Sequence, residues 1–247
     1  MVTRIRPVWL VGTVTEVLPE TPTARRIMLD VPGWPGNDAG SHLDIRLTAP
    51  DGYQASRSYS IASYGPSSRV VLAVDDIPTG EVSPFLTHEL RVGDQLEVHG
   101  PLGAYFVWKP EGFGATTGPV QLIGGGSGIV PLYAIARAAA DAGRMGDFRL
   151  LSSVRSPGDQ FFAAELDALS DAGLRIDRVY TRVAPAEWPV PPTRLTRETL
   201  ALAIPDAATL ERSYVCGPTP FVEAVAGWLI DLGHSPGTIR TERFGGA

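Results

Sequence analysis

The sequence predicts two domains: a six-stranded antiparallel β-barrel over residues 1–112, then an α/β domain built on a five-stranded parallel sheet over residues 119–247, with a hinge at 113–118 between them. Three observations predict this. The chain has 247 residues, a length that suits one large domain or two of about 100–150 residues. Its first half reads as short strands broken by Gly, Pro and Asp. Its second half alternates strand with helix, as a parallel sheet covered by helices requires.

In the first half, β-branched or alternating apolar residues mark strands at Val11–Leu18, Arg25–Val31, His42–Leu47, Arg57–Ala62, Arg69–Val74 and Gln95–Val98. Pro32-Gly33, Pro35-Gly36 and Asp51-Gly52 supply turns. Short strands at regular spacing indicate a small antiparallel barrel. One helix is expected at Ser83–Leu90, led by a serine able to cap it. The second half opens with the apolar strand Val120–Ile123. A glycine run follows, then a helix over Pro131–Ala142 with Leu132, Ile135, Ala136 and Ala139 on one face. Further strands are expected at Arg149–Ser153, Ile176–Thr181 and Ser213–Cys216, and helices at Ala163–Leu169 and Pro220–Leu232. Phe221, Val225, Trp228, Leu229 and Leu232 recur at helical spacing, and Gly233 stands where a C-cap belongs. The arrangement is Rossmann-like.

Composition excludes several classes of function. The only cysteine, Cys216, permits no internal disulfide, no multi-cysteine zinc site and no four-cysteine iron–sulfur cradle within these residues. The four histidines, His42, His88, His99 and His234, show no paired-ligand spacing, so no metal is expected. A formal net charge of −6 disfavours nucleic acid as a partner. No apolar run reaches the roughly 18 residues of a membrane span. The stretch Arg4–Val17 has arginines before an apolar patch, but it lacks a long apolar region and a small-residue cleavage site. It reads as a strand of a cytoplasmic protein. Oligomeric state stays open.

Four motifs carry chemistry. The run Gly124-Gly125-Gly126-Ser127-Gly128-Ile129-Val130-Pro131 lies between strand and helix. Such a run points free N–H groups and a helix N-terminus at an anion, or is simply a glycine-rich turn. Pro131 fits a first helical position. The run departs from the GxGxxG fingerprint of simple NAD dehydrogenases. In Arg57-Ser58-Tyr59-Ser60, Arg57 and Tyr59 share one face of a strand, with Ser58 and Ser60 on the other. An arginine beside an aromatic ring suits a ligand with a phosphate and a flat ring system; an exposed strand pair is the alternative. Gly80-Glu81-Val82-Ser83 opens the expected helix as a phosphate site or a plain cap. Cys216-Gly217-Pro218-Thr219-Pro220 lies at a strand's C-terminal end, where ligands of open α/β sheets bind. Alternatively, Cys216 is a small buried hydrophobe.

Taken in this order, Arg57-x-Tyr59-Ser60, Gly80-x-x-Ser83, Gly126-x-Gly128-x-x-Pro131 and Cys216-Gly217-Pro218 resemble the flavin and nicotinamide motifs of the ferredoxin–NADP reductase family. The resemblance spans essentially the whole chain, to the tail Glu242-Arg243-Phe244-Gly245. It implies an FAD-binding barrel, an NAD(P)-binding domain and a reaction at their interface. It further implies that Arg57, with Ser58, binds the FAD pyrophosphate, Tyr59 packs on the isoalloxazine and Ser60 hydrogen-bonds near flavin N5. Gly80, Val82 and Ser83 would complete that pyrophosphate site. Gly126, Gly128 and Pro131 would take the pyrophosphate of the nicotinamide dinucleotide, and Cys216, Gly217 and Pro218 would flank its nicotinamide. Cys216 would orient the ring rather than act as a nucleophile, so Tyr59, Ser60 and Cys216 form the expected reaction centre. Phe244 would stack on the flavin, although three residues follow it here, unlike the terminal aromatic of plant-type members.

Related NADPH users end a strand with Ser-Arg or Thr-Arg, and Thr181-Arg182 occupies that place, with Arg155 ending the preceding strand. A guanidinium forks onto phosphate, whereas an NADH site favours an acidic residue, and neither place holds one. NADPH is therefore expected over NADH. The resemblance implies an NAD(P)H-dependent, FAD-containing reductase that passes electrons to a separate acceptor protein, a ferredoxin or an oxygenase component. Two alternatives remain. A reductase of free flavin or quinones would turn over without any ferredoxin. A non-catalytic flavin-binding regulator would hold FAD that neither NADPH nor NADH bleaches.

Overall fold

The structure, a computed structural model, describes residues 9–112 and 115–245. Residues 4–8 of the expected first strand and 113–114 of the expected hinge lie outside the described residues. The chain divides into two compact units, Met1–Ala104 and Tyr105–Ala247.

Six antiparallel strands build the first unit: β1 (Trp9–Thr21), β2 (Ala24–Asp30), β3 (His42–Thr48), β4 (Gln54–Ser60), β5 (Arg69–Asp75) and β6 (Gln95–Leu102). Their order is β4-β3-β6-β1-β2-β5. Alternation puts Ile27 and Leu29 of β2, Leu43 and Ile45 of β3, and Val70 and Leu72 of β5 into one core with no exposure. Each such side chain contributes roughly 1.5–3 kcal/mol through burial. The edge strands β4 and β5 are joined by the single bridge Ile61–Leu72 and by the Ala62 N–H donating to Val71 O at 2.7 Å, so the barrel is not closed by a full ladder. β4 ends at Ser60, short of the expected Ala62, because the Ile61 N–H donates to Ser41 O just outside β3 while Ile61 itself bridges to Leu72 of β5.

The expected helix Ser83–Leu90 forms over Ser83–Glu89, with Ser83 and Pro84 α-helical and Phe85–Glu89 widened into a π-helical turn. Pro84 brings no N–H, and the Thr87 hydroxyl donates to Ser83 O at 2.9 Å. Leu90 N–H closes the wider turn on Phe85 O at 3.0 Å. Ser83 does not cap it. Its hydroxyl accepts from Ile77 N–H at 3.1 Å and closes the loop before the turn.

Five parallel strands form the second unit: β7 (Val120–Gly125), β8 (Phe148–Val154), β9 (Arg175–Tyr180), β10 (Arg212–Pro218) and β11 (Ile239–Phe244). Helices α1 (Ile129–Asp141), α2 (Ala163–Asp171), α3 (Arg197–Ala203) and α4 (Thr219–Asp231) connect them. The strand order is β11-β10-β7-β8-β9. The chain therefore runs outward from β7 to one side and returns to build the other, with β7 and β10 adjacent at the reversal. Helix α1 starts at Ile129, so Pro131 is its third residue, not its first. It costs no bond there, because the first four N–H groups of a helix lack internal partners. Helix α1 buries most of its surface, with Ile129, Leu132, Ala134, Ile135, Ala136 and Ala139 at zero exposure, and shows solvent one stripe that includes the exposed Arg137 and Asp141. Helix α4 ends as expected: Gly233 takes φ +92°, and its N–H and that of His234 return to Ile230 O and Leu229 O. Phe106 meets Tyr214 edge to face at 5.3 Å, and Trp108 meets Phe148 at 5.2 Å.

Candidate cofactor-binding site

In the first unit the site grows from β4 and the loop Ile77–Ser83. Register pairs Ile45 with Arg57, Asp44 with Ser58, Leu43 with Tyr59 and His42 with Ser60. Pleating then separates the faces. Tyr59 packs on the barrel core. Burial pushes its phenol well above the ordinary range, with nearby Arg57 pulling the other way, so it stays neutral. Ser58 lies on the opposite face and donates to Asp44 Oδ1 at 2.5 Å. Arg57 is half-exposed; its Nη1 donates to Ser56 O at 2.7 Å and its Nη2 meets Glu81 Oε2 at 2.5 Å. The Tyr53 hydroxyl donates to Glu81 Oε1 at 2.6 Å. That hydroxyl first, and Arg57 second, hold the Glu81 carboxyl below the usual carboxylate range.

The loop is tight. Gly80 N–H donates to Ile77 O at 2.7 Å, and a Cβ on Gly80 would sit 3.0 Å from that oxygen and 3.1 Å from Ser83 Oγ. Val82 is buried in the core and anchors the loop. The fold thus brings Arg57 beside Gly80–Ser83, through a glutamate and a tyrosine for which the sequence suggested no role. Glu81 lies inside the quoted motif. Tyr53 shows no local signal, because its contact spans 28 residues.

In the second unit the site lies where β7 and β10 end, at the strand-order reversal. Open α/β sheets bind ligands in this crevice. Cys216 pairs with Gly124. Gly126–Gly128 form one 3-10 turn feeding α1, with Gly126 at φ +57°. A Cβ on Gly128 would lie 2.3 Å from Cys216 O; one on Gly125 or on Gly217 would lie 2.8 Å from the Phe221 ring. At Gly125, Gly128 and Gly217 a side chain is excluded by contact, leaving a cradle lined by backbone, the kind of surface a phosphate at a helix N-terminus requires. Helical spacing marks Phe221 only as a core residue of its helix, and its place against both glycines emerges from the β7–β10 pairing. Cys216 is fully buried, and burial, then Glu242, raises its thiol well above the ordinary range, so it stays protonated. Pro218 is exposed at the start of α4 and pairs with the half-buried Phe244. The Thr219 hydroxyl holds the chain after Phe244 by donating to Gly245 O at 3.0 Å.

At the ends of β8 and β9, Thr181 N–H donates to Val154 O at 2.8 Å and Arg182 N–H to Arg155 O at 2.9 Å. Arg155 and Arg182 are thereby neighbours. Both are exposed, and neither has an ion pair among the described residues. No helix among the described residues is long and apolar enough to cross a membrane.

Residues 22–107 match the family model of oxidoreductase FAD-binding domains, and residues 122–227 that of oxidoreductase NAD-binding domains. The chain is 28% identical, over 94% of its length, to the ferredoxin–NAD(P)(+) reductase component of naphthalene 1,2-dioxygenase/salicylate 5-hydroxylase systems of a Ralstonia species, covering 68% of that protein. It is 33% identical, over 85% of its length, to the glycine betaine monooxygenase reductase subunit of Chromohalobacter salexigens, covering 56% of it. Among solved structures, a cytochrome P450 reductase of Amycolatopsis superposes with a TM-score of 0.82 at 28% identity, covering 96% of this chain and 70% of that one. The chain thus spans between just over half and about two thirds of the length of the two curated relatives.

Proposed function

Because the chain belongs to the ferredoxin–NADP reductase-like family of flavoprotein oxidoreductases, we propose that it takes reducing equivalents from NAD(P)H onto FAD and passes them to a separate acceptor protein, a ferredoxin or an oxygenase component. The observation that carries this reading is the glycine-lined cradle at the β7–β10 reversal, where a Cβ on Gly128 would strike Cys216 O at 2.3 Å. When bound, FAD accepts a hydride equivalent from the nicotinamide and can release its electrons singly.

The chain's own residues bind, orient and exclude water. Residues 1–112 would hold the FAD, residues 119–247 the nucleotide, and 113–118 would join them. The Arg57 guanidinium would hold the FAD pyrophosphate, with the backbone of Gly80, Val82 and Ser83 completing that site. Ser58 supports β4 through Asp44. Tyr59, kept neutral by burial, offers a flat apolar surface to the isoalloxazine. Ser60 would offer a hydroxyl near its N5. Gly126 and Gly128 would present backbone N–H groups to the dinucleotide's phosphates, while Pro131, which has no N–H, would shape the start of α1 beside them. Cys216, Gly217 and Pro218 would border the nicotinamide, with Cys216, buried and protonated, contributing shape rather than a nucleophile. Phe244, the expected flavin-stacking ring, is paired with Pro218 at the end of β10.

NADPH is the proposed reductant. Arg155, Thr181 and Arg182 form a cationic, hydroxyl-bearing corner without an acidic residue, suited to a 2′-phosphate. The proposed location is the cytoplasm. The test is anaerobic titration of the purified yellow protein with NADPH, then NADH, followed by candidate acceptors. Bleaching by NADPH at lower concentration than by NADH, with reoxidation by a ferredoxin or oxygenase component, is the expected result. Protein that cannot be reconstituted with FAD, or flavin that neither nucleotide bleaches, overturns it.

A further inference from the structure

We propose that Glu81 sets how tightly this chain holds FAD, by competing with the flavin pyrophosphate for the Arg57 guanidinium. The inference rests on the reading of Arg57 as the pyrophosphate ligand and goes beyond it. Arg57 does not wait with an open fork. Its Nη1 is engaged by Ser56 O at 2.7 Å and its Nη2 by Glu81 Oε2 at 2.5 Å. Glu81 in turn is held from its other oxygen by the Tyr53 hydroxyl at 2.6 Å. The carboxylate thus occupies the position of an anion on the arginine.

Its place in the chain sharpens the conflict. Glu81 stands between Gly80 and Val82, inside the loop whose backbone would flank the same phosphates. A pyrophosphate arriving at Arg57 must displace the carboxylate and then remain beside it as a like charge. Val82 is buried and Gly80 is confined by Ile77 O and Ser83 Oγ, so the loop backbone cannot carry Glu81 far away. The side chain must rotate instead. Both members of the pair are about half exposed, with side-chain exposures of 52% and 44%. Ion pairs this exposed are weak and exchange readily with solvent and ligands. Tyr53 keeps its own hydrogen bond to Glu81 as the arginine is released. It therefore parks the carboxylate at the loop rather than removing its charge, and FAD binds against a standing penalty.

The experiment is FAD titration of flavin-stripped protein, followed by quenching of flavin fluorescence, for the wild type and the variants Glu81→Gln, Glu81→Ala and Arg57→Ala. Removing a like charge beside a partly solvated phosphate strengthens binding by about five- to tenfold. Both Glu81 variants should therefore lower the Kd by that factor, and Arg57→Ala should raise it. In the double variant Arg57→Ala/Glu81→Gln the gain should shrink, because no guanidinium is left to compete for. A Kd in both Glu81 variants equal to or weaker than wild type, with Arg57→Ala still impaired, overturns the role of Glu81 and leaves that of Arg57 intact. An undiminished gain in the double variant overturns the competition. Unchanged affinity in Arg57→Ala refutes the underlying reading of Arg57 itself.

Discussion

Replacing Gly128 with alanine tests the cradle where its geometry is tightest. The added Cβ would lie 2.3 Å from Cys216 O, 2.5 Å from Cys216 C and 2.7 Å from Gly217 N, all backbone atoms of the neighbouring strand. Ordinary contact for such atoms is about 3.5 Å, so the loop or the end of β10 must retreat by roughly 1 Å. Neither can do so freely. Ile129 and Leu132 of α1 and Val215 of β10 are fully buried on either side. Overpacking of this kind costs about 1–3 kcal/mol, and in a chain of this size each kcal/mol lowers the Tm by about 2–4 °C. A shift of that size in groups that position a substrate lowers kcat/KM by about 100-fold. Gly126 provides the contrast, because a Cβ there meets nothing within 4 Å and only its φ of +57° opposes alanine, a penalty of about 1–2 kcal/mol. The assay is anaerobic stopped-flow reduction against NADPH concentration, with thermal melts and flavin content measured on the same samples. Gly128→Ala should lose NADPH turnover and melting temperature while retaining FAD, whose expected ligands lie in the other compact unit. A variant with wild-type melting temperature and NADPH dependence refutes the close contact and the role built on it.

Three further outcomes are expected. Arg182→Glu should impair NADPH use much more than NADH use, measured as the ratio of kcat/KM values; equal losses contradict contact with the 2′-phosphate. Cys216, fully buried with its thiol pushed up by burial and by Glu242, should resist a thiol reagent at pH 8 in native protein and react on unfolding in urea; rapid native labelling contradicts that placement. Tyr59 is held neutral by burial, so its folded-state value lies above the unfolded value of about 10. Its contribution to stability is complete below that unfolded value and falls as pH rises above it. Urea melts should show lower stability at pH 11 than at pH 9, and Tyr59→Phe should reduce the difference; an identical drop in both proteins removes Tyr59 as its source.

Much of this architecture is legible in the sequence because alternation and burial coincide. Val70 and Leu72 of β5 announce their strand, and Gly233 announces the end of α4. The fifth parallel strand was expected but not located, for a physical reason. Ile239–Phe244 reads IRTERF and lies at the edge of the sheet with only Ile239 buried, so it carries neither the apolar run of a central strand nor a clean alternation. Helix α3 is seven residues long, and its signal is confined to the Thr196 hydroxyl accepting from Thr199 N–H. The site was legible as motifs but not as contacts. That Gly128 is packed against Cys216, or that Glu81 reaches Arg57, depends on pairings across dozens of residues that no local pattern encodes.

Strand β4 ends its sheet, laddered to β3 along one side and joined to β5 by a bridge at the residue just beyond it. A change along β4 therefore disturbs one neighbour's pairing where a change in β1 or β3 disturbs two. Arg57 and Ser60 sit on an edge strand, with Tyr59 as its tie to the core. Descendants of this chain can alter what they grip there while the middle of the sheet keeps its pattern, so recognition and architecture can drift apart at different rates.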